Sequence, residues 1–281
     1  MPVKSLITSG DAGLIAKVGN ELDGENRLYV DAVINSENQR SIPVTLAPSA
    51  SAAGITDGYV STSTVASYAI MATTYTEQTV NAQRSLVSTA AADAAAGTGA
   101  RSVRITYLDQ AFAGPYTETV VLNGTTPVNT VASNICYIEK MEVLTAGSGG
   151  VNAGTINLKA ATGGGGVTVG SIVIGDNKTF WAHHYVPAGK TCYITSYWVG
   201  HNGTVVGSGG LFTVKSLNEL VDNAAWIQLP GMIRLYGQSS TITRNYGTAQ
   251  PITGPSLIRL YVFTEASSSL IFRAAIDYYD L

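Results

Sequence analysis

The chain has 281 residues, 45% of them hydrophobic and 12% charged, with a formal net charge of −3. A chain of this length buries roughly three quarters of its unfolded surface, yet its charged fraction is about half the ~25% usual for globular proteins. There is no Lys/Arg cluster to hold nucleic acid, no apolar run of the roughly 18 residues that a membrane span needs, and no N-terminal apolar stretch ending in a small-residue cleavage site. Neither nucleic acid nor membrane is expected as a partner, and the chain is expected to be made and kept in a cytoplasm. A surface of Ser, Thr, Gly, Asn and Ala suits a protein covered largely by other subunits. The alternative is an ordinary secreted β protein.

Residues 1–46 form a distinct small unit, rich in the chain's few charges. Asn26–Ile34 alternates polar and apolar over its first half and is expected to be a strand. This reads as a peripheral β element or a docking unit.

Residues 47–100 break that composition. Their only charges are Asp57, Glu77, Arg84 and Asp93, and no helical or strand period runs through them. The stretch reads as a linker, or as an extended arm that orders on a neighbouring subunit. Tyr68 and Tyr75 make it too apolar for a purely solvated linker.

From Arg101 the strand period is clean. Ser102–Leu108, Thr117–Leu122, Cys136–Leu144, Gly154–Ala160 and Val167–Ile174 are expected strands, punctuated by Asn123-Gly124, Gly147–Gly150 and Gly163–Gly166. Thr179–Thr195, TFWAHHYVPAGKTCYIT, reads as a hairpin turning at Pro187–Lys190, where Pro sets φ and Gly accepts a positive one. Alternation puts Phe180, Ala182, His184 and Val186 on one face of its first strand and Trp181, His183 and Tyr185 on the other. Gly210–Lys215, Ala225–Leu229, Ile233–Tyr236, Leu257–Thr264 and Leu270–Tyr279 complete about ten strands, with at most a short helix near Ser216–Asn223. Such spacing predicts an all-β fold, a β-sandwich or jelly roll over 101–281.

Little in the chain suggests chemistry. Cys136 and Cys192 lie in apolar strand patterns and read as two buried thiols, with a disulfide as the alternative. His183, His184 and His201 are the metal-like residues, but neighbours on a strand point to opposite faces, so His183 and His184 do not share an ion without a bulge. The expectation is one histidine packed inside and one at a surface or subunit contact, with no metal and no cofactor. The glycine run 163–166 lacks the Lys-Ser/Thr of a phosphate loop. No nucleophile elbow is present. Asp176, Glu219, Asp222 and Asp277 are too scattered to favour glycoside hydrolysis. Aromatics offer more: Tyr193, Tyr197 and Trp198 on one strand, with Trp181 opposite, are candidates for a sugar-stacking platform. With His183, Tyr68 and Tyr75 they make up the candidate interaction surface. The competing reading of these aromatics is a sandwich core plus subunit interface, since strands favour them.

From about residue 130 onward the chain reads Asn152-Ala-Gly-Thr-Ile156, then Gly175-Asp-Asn-Lys-Thr179, then Tyr185-Val-Pro-Ala-Gly-Lys190-Thr-Cys-Tyr193. This order of signals resembles that of tailed-bacteriophage virion proteins, with Ala275–Tyr279 in place of the family's last strand. Arg101–Asp109, Glu118–Thr130 and Asn26–Val30 are similar to the same class of sequence. The resemblance implies a jelly-roll-like domain on the outside of a virion, as a head decoration protein, head fibre, neck or tail component. It also implies a homo-oligomer, by analogy a trimer, held against capsid or neck/tail subunits, and it brings no catalytic motif. The expected architecture is then a small N-terminal β unit (1–46), an extended Ala/Ser/Thr-rich arm (47–100) and a jelly-roll-like β-sandwich (101–281). The expected role is that of a non-enzymatic virion subunit. The alternatives are a tail module that binds a receptor or host-surface glycan, and a hydrolase of surface polysaccharide.

Overall fold

The computed structural model describes the backbone of residues 5–8, 15–19, 29–32, 52–62, 69–70, 75–201, 209–218, 226–236, 240–264 and 270–281, with side chains for 75–200, 211–218, 226–235, 241–262 and 274–281. Residues 1–47 form one compact unit and 48–281 a second. In the first, β1 (Ser5–Thr8), β2 (Ile15–Gly19) and β3 (Tyr29–Ala32) make an antiparallel sheet in that order.

The second unit is all β and antiparallel, with no α-helix among the described residues. It opens with β4 (Ala52–Thr62) and β5 (Ala69–Ile70). Then come β6 (Ser85–Ser88), β7 (Ala100–Leu108), β8 (Tyr116–Val121), β9 (Val128–Asn129), β10 (Tyr137–Ala146), β11 (Ile156–Lys159) and β12 (Thr168–Ile172). These seven form two sheets, β10-β7-β8 and β12-β11-β6-β9. Their inner faces share one core, in which Leu86, Val103, Ile105, Ile138, Met141, Ile156, Leu158 and Val169 are buried. Two sheets closing on interdigitated side chains make a sandwich.

A second sandwich follows. Its strands are β13 (His183–Val186), β14 (Thr191–His201), β15 (Gly209–Asn218), β16 (Ile227–Gln228), β17 (Ile233–Tyr236), β18 (Ser240–Thr253), β19 (Ser256–Thr264) and β20 (Leu270–Asp280). One sheet runs β13-β19-β15-β16, with β17 on β15 and β5 on β19; the other runs β18-β14-β20-β4. Ala182, Val186, Phe212, Val214 and Leu260 from the first meet Cys192, Ile194, Tyr197, Val199 and Ile276 from the second. A smaller cluster of Leu108, Phe112, Cys136, Tyr137, Tyr185 and Leu257 joins residues of the two sandwiches. The all-β sandwich read from the sequence is therefore present, built twice in succession.

The structure alters four details. The expected hairpin at 179–195 is not one. Its turn forms, with the Lys190 N–H donating to Pro187 O at 3.1 Å and Gly189 at φ 75°. But β13 pairs with β19, while β14 lies between β18 and β20 in the facing sheet. Val186 and Cys192 must reach the same core, and they do so from opposite sides, which a hairpin within one sheet forbids. Second, the stretch read as an arm or linker is threaded through both sandwiches: β4 pairs along β20, β5 pairs with β19, and β6 lies between β11 and β9. Third, β18 has 14 residues and no strand-like pattern. Among the described residues it is a sheet edge, largely exposed, so its side chains stay polar, and Pro251 is tolerated there. Fourth, residues 216–218 of the suggested helix extend β15, and 219–223 lie outside the described residues.

Asp93 ties this threading together. Its Oδ1 accepts from the N–H groups of Ala100 at 2.7 Å and Ala153 at 2.8 Å. Its Oδ2 accepts from Gly154 N–H at 2.9 Å and the Ser88 hydroxyl at 2.6 Å. A fully buried carboxylate is tolerable only when so many donors replace its water.

Candidate functional site

The polar chemistry of the second unit concentrates on β13. All four of its residues are buried, because one face meets the second sandwich's core and the other the junction cluster. Alternation then drives its two adjacent histidines into two different environments.

On one face, His184 Nδ1 lies 2.8 Å from Glu139 Oε1 and Nε2 lies 3.1 Å from Asp280 Oδ1. The other Glu139 oxygen accepts from the Tyr185 N–H at 3.0 Å. Glu139 reaches β13 because the β10–β7 register slips between Ile138 and Lys140. It is the extra residue of a bulge, a device that re-aims a side chain. Asp280 and Cys192 are directly opposed partners on β20 and β14, so their side chains leave the sheet on one face. The donor atoms of His184, Cys192 and Asp280 all lie within 4.8 Å of one another. Tyr278, two residues before Asp280, stacks on the imidazole with centroids 4.0 Å apart.

Burial works against the charged imidazolium of His184, but the Glu139 charge and the Asp280 hydrogen bond outweigh it and hold the group well above its ordinary value. Burial pushes the Cys192 thiol up to about 11 despite its bond to His184. A protonated thiol with no exposed surface is a poor nucleophile. The trio resembles a Cys-His-Asp catalytic arrangement in composition only, since no substrate can reach it as it stands.

On the other face, His183 Nε2 donates to Ile138 O at 3.0 Å. Its ring lies among Trp181 (5.5 Å), Tyr75 (4.6 Å) and Tyr185 (5.2 Å), centroid to centroid. Burial is the main reason its pKa falls to about 4, which leaves it neutral. The hydroxyls of Tyr75 and Tyr185 bond to each other. The Arg259 guanidinium sits 5.7 Å from the Tyr75 ring and 5.6 Å from the Trp226 ring, and pairs with Glu77 at 2.8 Å.

The aromatics proposed as one surface are dispersed. Trp181 is 2% exposed and Tyr197 0%, and they belong to different sandwich cores. The Tyr197 hydroxyl bonds to Gly231 O. Trp198 is half-buried, and Tyr193 stacks half-buried on Tyr279 with centroids 5.0 Å apart. Tyr75 joins the His183 cluster, while Tyr68 and the His201 side chain lie outside the described residues. Of the proposed sugar platform, Trp181 and Tyr197 are thus buried in separate cores, while Tyr193 and Trp198 stay half-buried on β14. The expectation of one inner and one outer histidine is corrected too, since His183 is 2% and His184 5% exposed. Of the candidate carboxylates, Asp176 is exposed and Asp277 accepts from the Ser196 hydroxyl. Glu219 and Asp222 lie outside the described residues. Glu139, Cys192 and Asp280 were not legible as partners of His184, because a bulge and a sheet-to-sheet crossing bring them together. The two cysteines are free, buried and assigned to different clusters.

No family model matches the chain, and no curated protein matches it. Among solved structures, infectious bursal disease virus of the Gx strain is similar at a TM-score of 0.24 and 10% identity, over 80% of this chain and 71% of that one. The VP2 subviral particle of infectious bursal disease virus is similar at a TM-score of 0.14 and 8% identity, over 82% of this chain and 80% of that one. Likeness this low carries no argument about the function of the chain.

Proposed function

We propose that the chain is a non-enzymatic virion structural subunit that assembles with copies of itself. The observation that carries this reading is the outer edge of the first sandwich. Among the described residues, strand β8 ends a sheet, and it exposes Tyr116 and Val121. Beside it, the N–H groups of Val131 and Ala132 donate to the Glu118 carboxylate at 2.5 and 3.0 Å, holding Val131 out at 90% exposure. An unpaired edge flanked by exposed apolar side chains is a template for another chain. In a chain only 12% charged, little else on the surface opposes association. The burial of Trp181, His183 and Tyr197 favours this role over glycan binding.

The finer reading, drawn from the sequence resemblance, is a tailed-phage head decoration, fibre or neck/tail component, in trimers. Light scattering of the purified full-length chain tests the assembly. A defined oligomer that Val131→Glu converts to β-rich monomers supports it. A wild-type monomer at all concentrations overturns it.

A further inference from the structure

Beyond assembly, we infer that His184, Cys192 and Asp280 form a buried site for a divalent transition-metal ion of the zinc type. The three donors are an imidazole nitrogen, a thiol sulfur and a carboxylate oxygen, the ligand set that zinc takes in proteins. Their placement suits one ion. Tetrahedral bonds of about 2.0–2.2 Å to nitrogen and oxygen put those two ligands roughly 3.3–3.5 Å apart, and Nε2 and Oδ1 of this pair are 3.1 Å apart. Sulfur bonds are longer, about 2.3 Å, and Cys192 Sγ lies within 4.8 Å of both.

The second observation is Glu139. A metal-bound histidine commonly gives its other ring N–H to a carboxylate, which fixes the tautomer and strengthens the donor. Glu139 holds Nδ1 at 2.8 Å, and its second oxygen is fixed by the Tyr185 N–H. That arrangement turns Nε2 toward Cys192 and Asp280. The Tyr278 ring stacked on the imidazole holds its plane. In the ion-free chain a proton on Nε2 makes the bond to Asp280; on metal binding that proton and the thiol proton leave, and nitrogen and sulfur each give a lone pair to the ion.

The ligands come from β13 in one sheet and β14 and β20 in the facing one, and Glu139 comes from β10 of the other sandwich. An ion there staples the second sandwich's sheets together beside its link to the first. Binding to the folded chain alone raises its stability by mass action.

The test uses the full-length chain, purified without chelator, with metal content measured by mass spectrometry. The chelated chain is then titrated with Zn(II) and with Co(II) under an optical readout. One ion per chain is expected, with a thiolate-to-cobalt charge-transfer band, a lower melting temperature after chelation, and recovery on adding Zn(II). Cys192→Ser removes the band, while Cys136→Ser, at the other thiol, keeps it. Glu139→Gln weakens Zn(II) binding by about 10–100-fold. Wild type that is folded by near-UV circular dichroism but takes up no ion and shows no band overturns the site, leaving His184 as an imidazolium between two carboxylates. A band that survives Cys192→Ser overturns it equally.

Discussion

Glu139 bonds to His184 although the two belong to different sandwiches. The link exists because β10 carries one residue too many opposite β7. Had the register run on unbroken, alternation would have tied the direction of Glu139 to that of its neighbours on β10. The bulge frees one carboxylate to cross to β13, where it satisfies a ring nitrogen and a backbone N–H together. A largely desolvated carboxylate with those partners is held in place, since losing either leaves a desolvated group behind.

Trp181 is expected to be a packing residue. Its ring lies so close to Gly170 that a Cβ there would come within 2.5 Å of it. Trp181→Ala should cost about 3–5 kcal/mol through the cavity it leaves. Gly170→Ala should cost about 1–3 kcal/mol through overpacking. Urea unfolding followed by far-UV circular dichroism measures both. A folded Trp181→Ala chain of unchanged stability would return Trp181 to the surface-binding reading.

Asp93→Ala should destabilise the chain by about 3 kcal/mol or more, because it leaves the N–H groups of Ala100, Ala153 and Gly154 without their acceptor. Asp93→Asn should not rescue it, since the amide turns a donor toward groups that are themselves donors. Chemical denaturation of the two variants alongside wild type checks this.

Alkali should weaken the fold through Cys136. Burial raises its thiol from an ordinary value of 9 to about 12. Between those values the unfolded chain sheds the proton and the folded chain keeps it, so the folded state binds more protons. Stability from this group is then fully present below pH 9 and falls as the pH rises, by at most about 1.4 kcal/mol per pH unit. Urea midpoints taken across that window should fall less steeply in Cys136→Ala than in wild type.

Truncation separates the two units. Removing residues 1–47 should leave a β-rich, cooperatively melting chain, since unit 48–281 is compact by itself. Removing 1–100 should not. It takes away β4, β5 and β6, strips Leu86 from the first core and deletes the Asp93 anchor. Soluble expression and differential scanning calorimetry distinguish these outcomes.

Local pattern carried much of the fold. In Leu257–Thr264 and Ser102–Leu108, apolar and β-branched residues recur with a strand period, and both are strands. The turn at 187–190 was legible from Pro187 and Gly189 because a fixed φ and a positive φ are properties of single residues. Leu86 in a Ser/Thr/Ala-rich stretch, and the polar β18, were not. The first is a short strand covered from both sides, and the second an edge that needs only its backbone to pair.

The sequence by itself determined the class: an all-β chain with glycine-set turns and sparse charge. Those properties follow from residue chemistry and short-range periodicity. The tertiary structure decided which strands pair, that β13 and β14 enter opposite sheets, that Trp181 and Tyr197 turn inward, and that Glu139, His184, Cys192 and Asp280 meet. The last two are 88 residues apart in sequence yet are opposed partners on neighbouring strands. Contacts of that kind depend on register and sheet assignment, which are settled by the burial of the whole chain and by no local stretch of it.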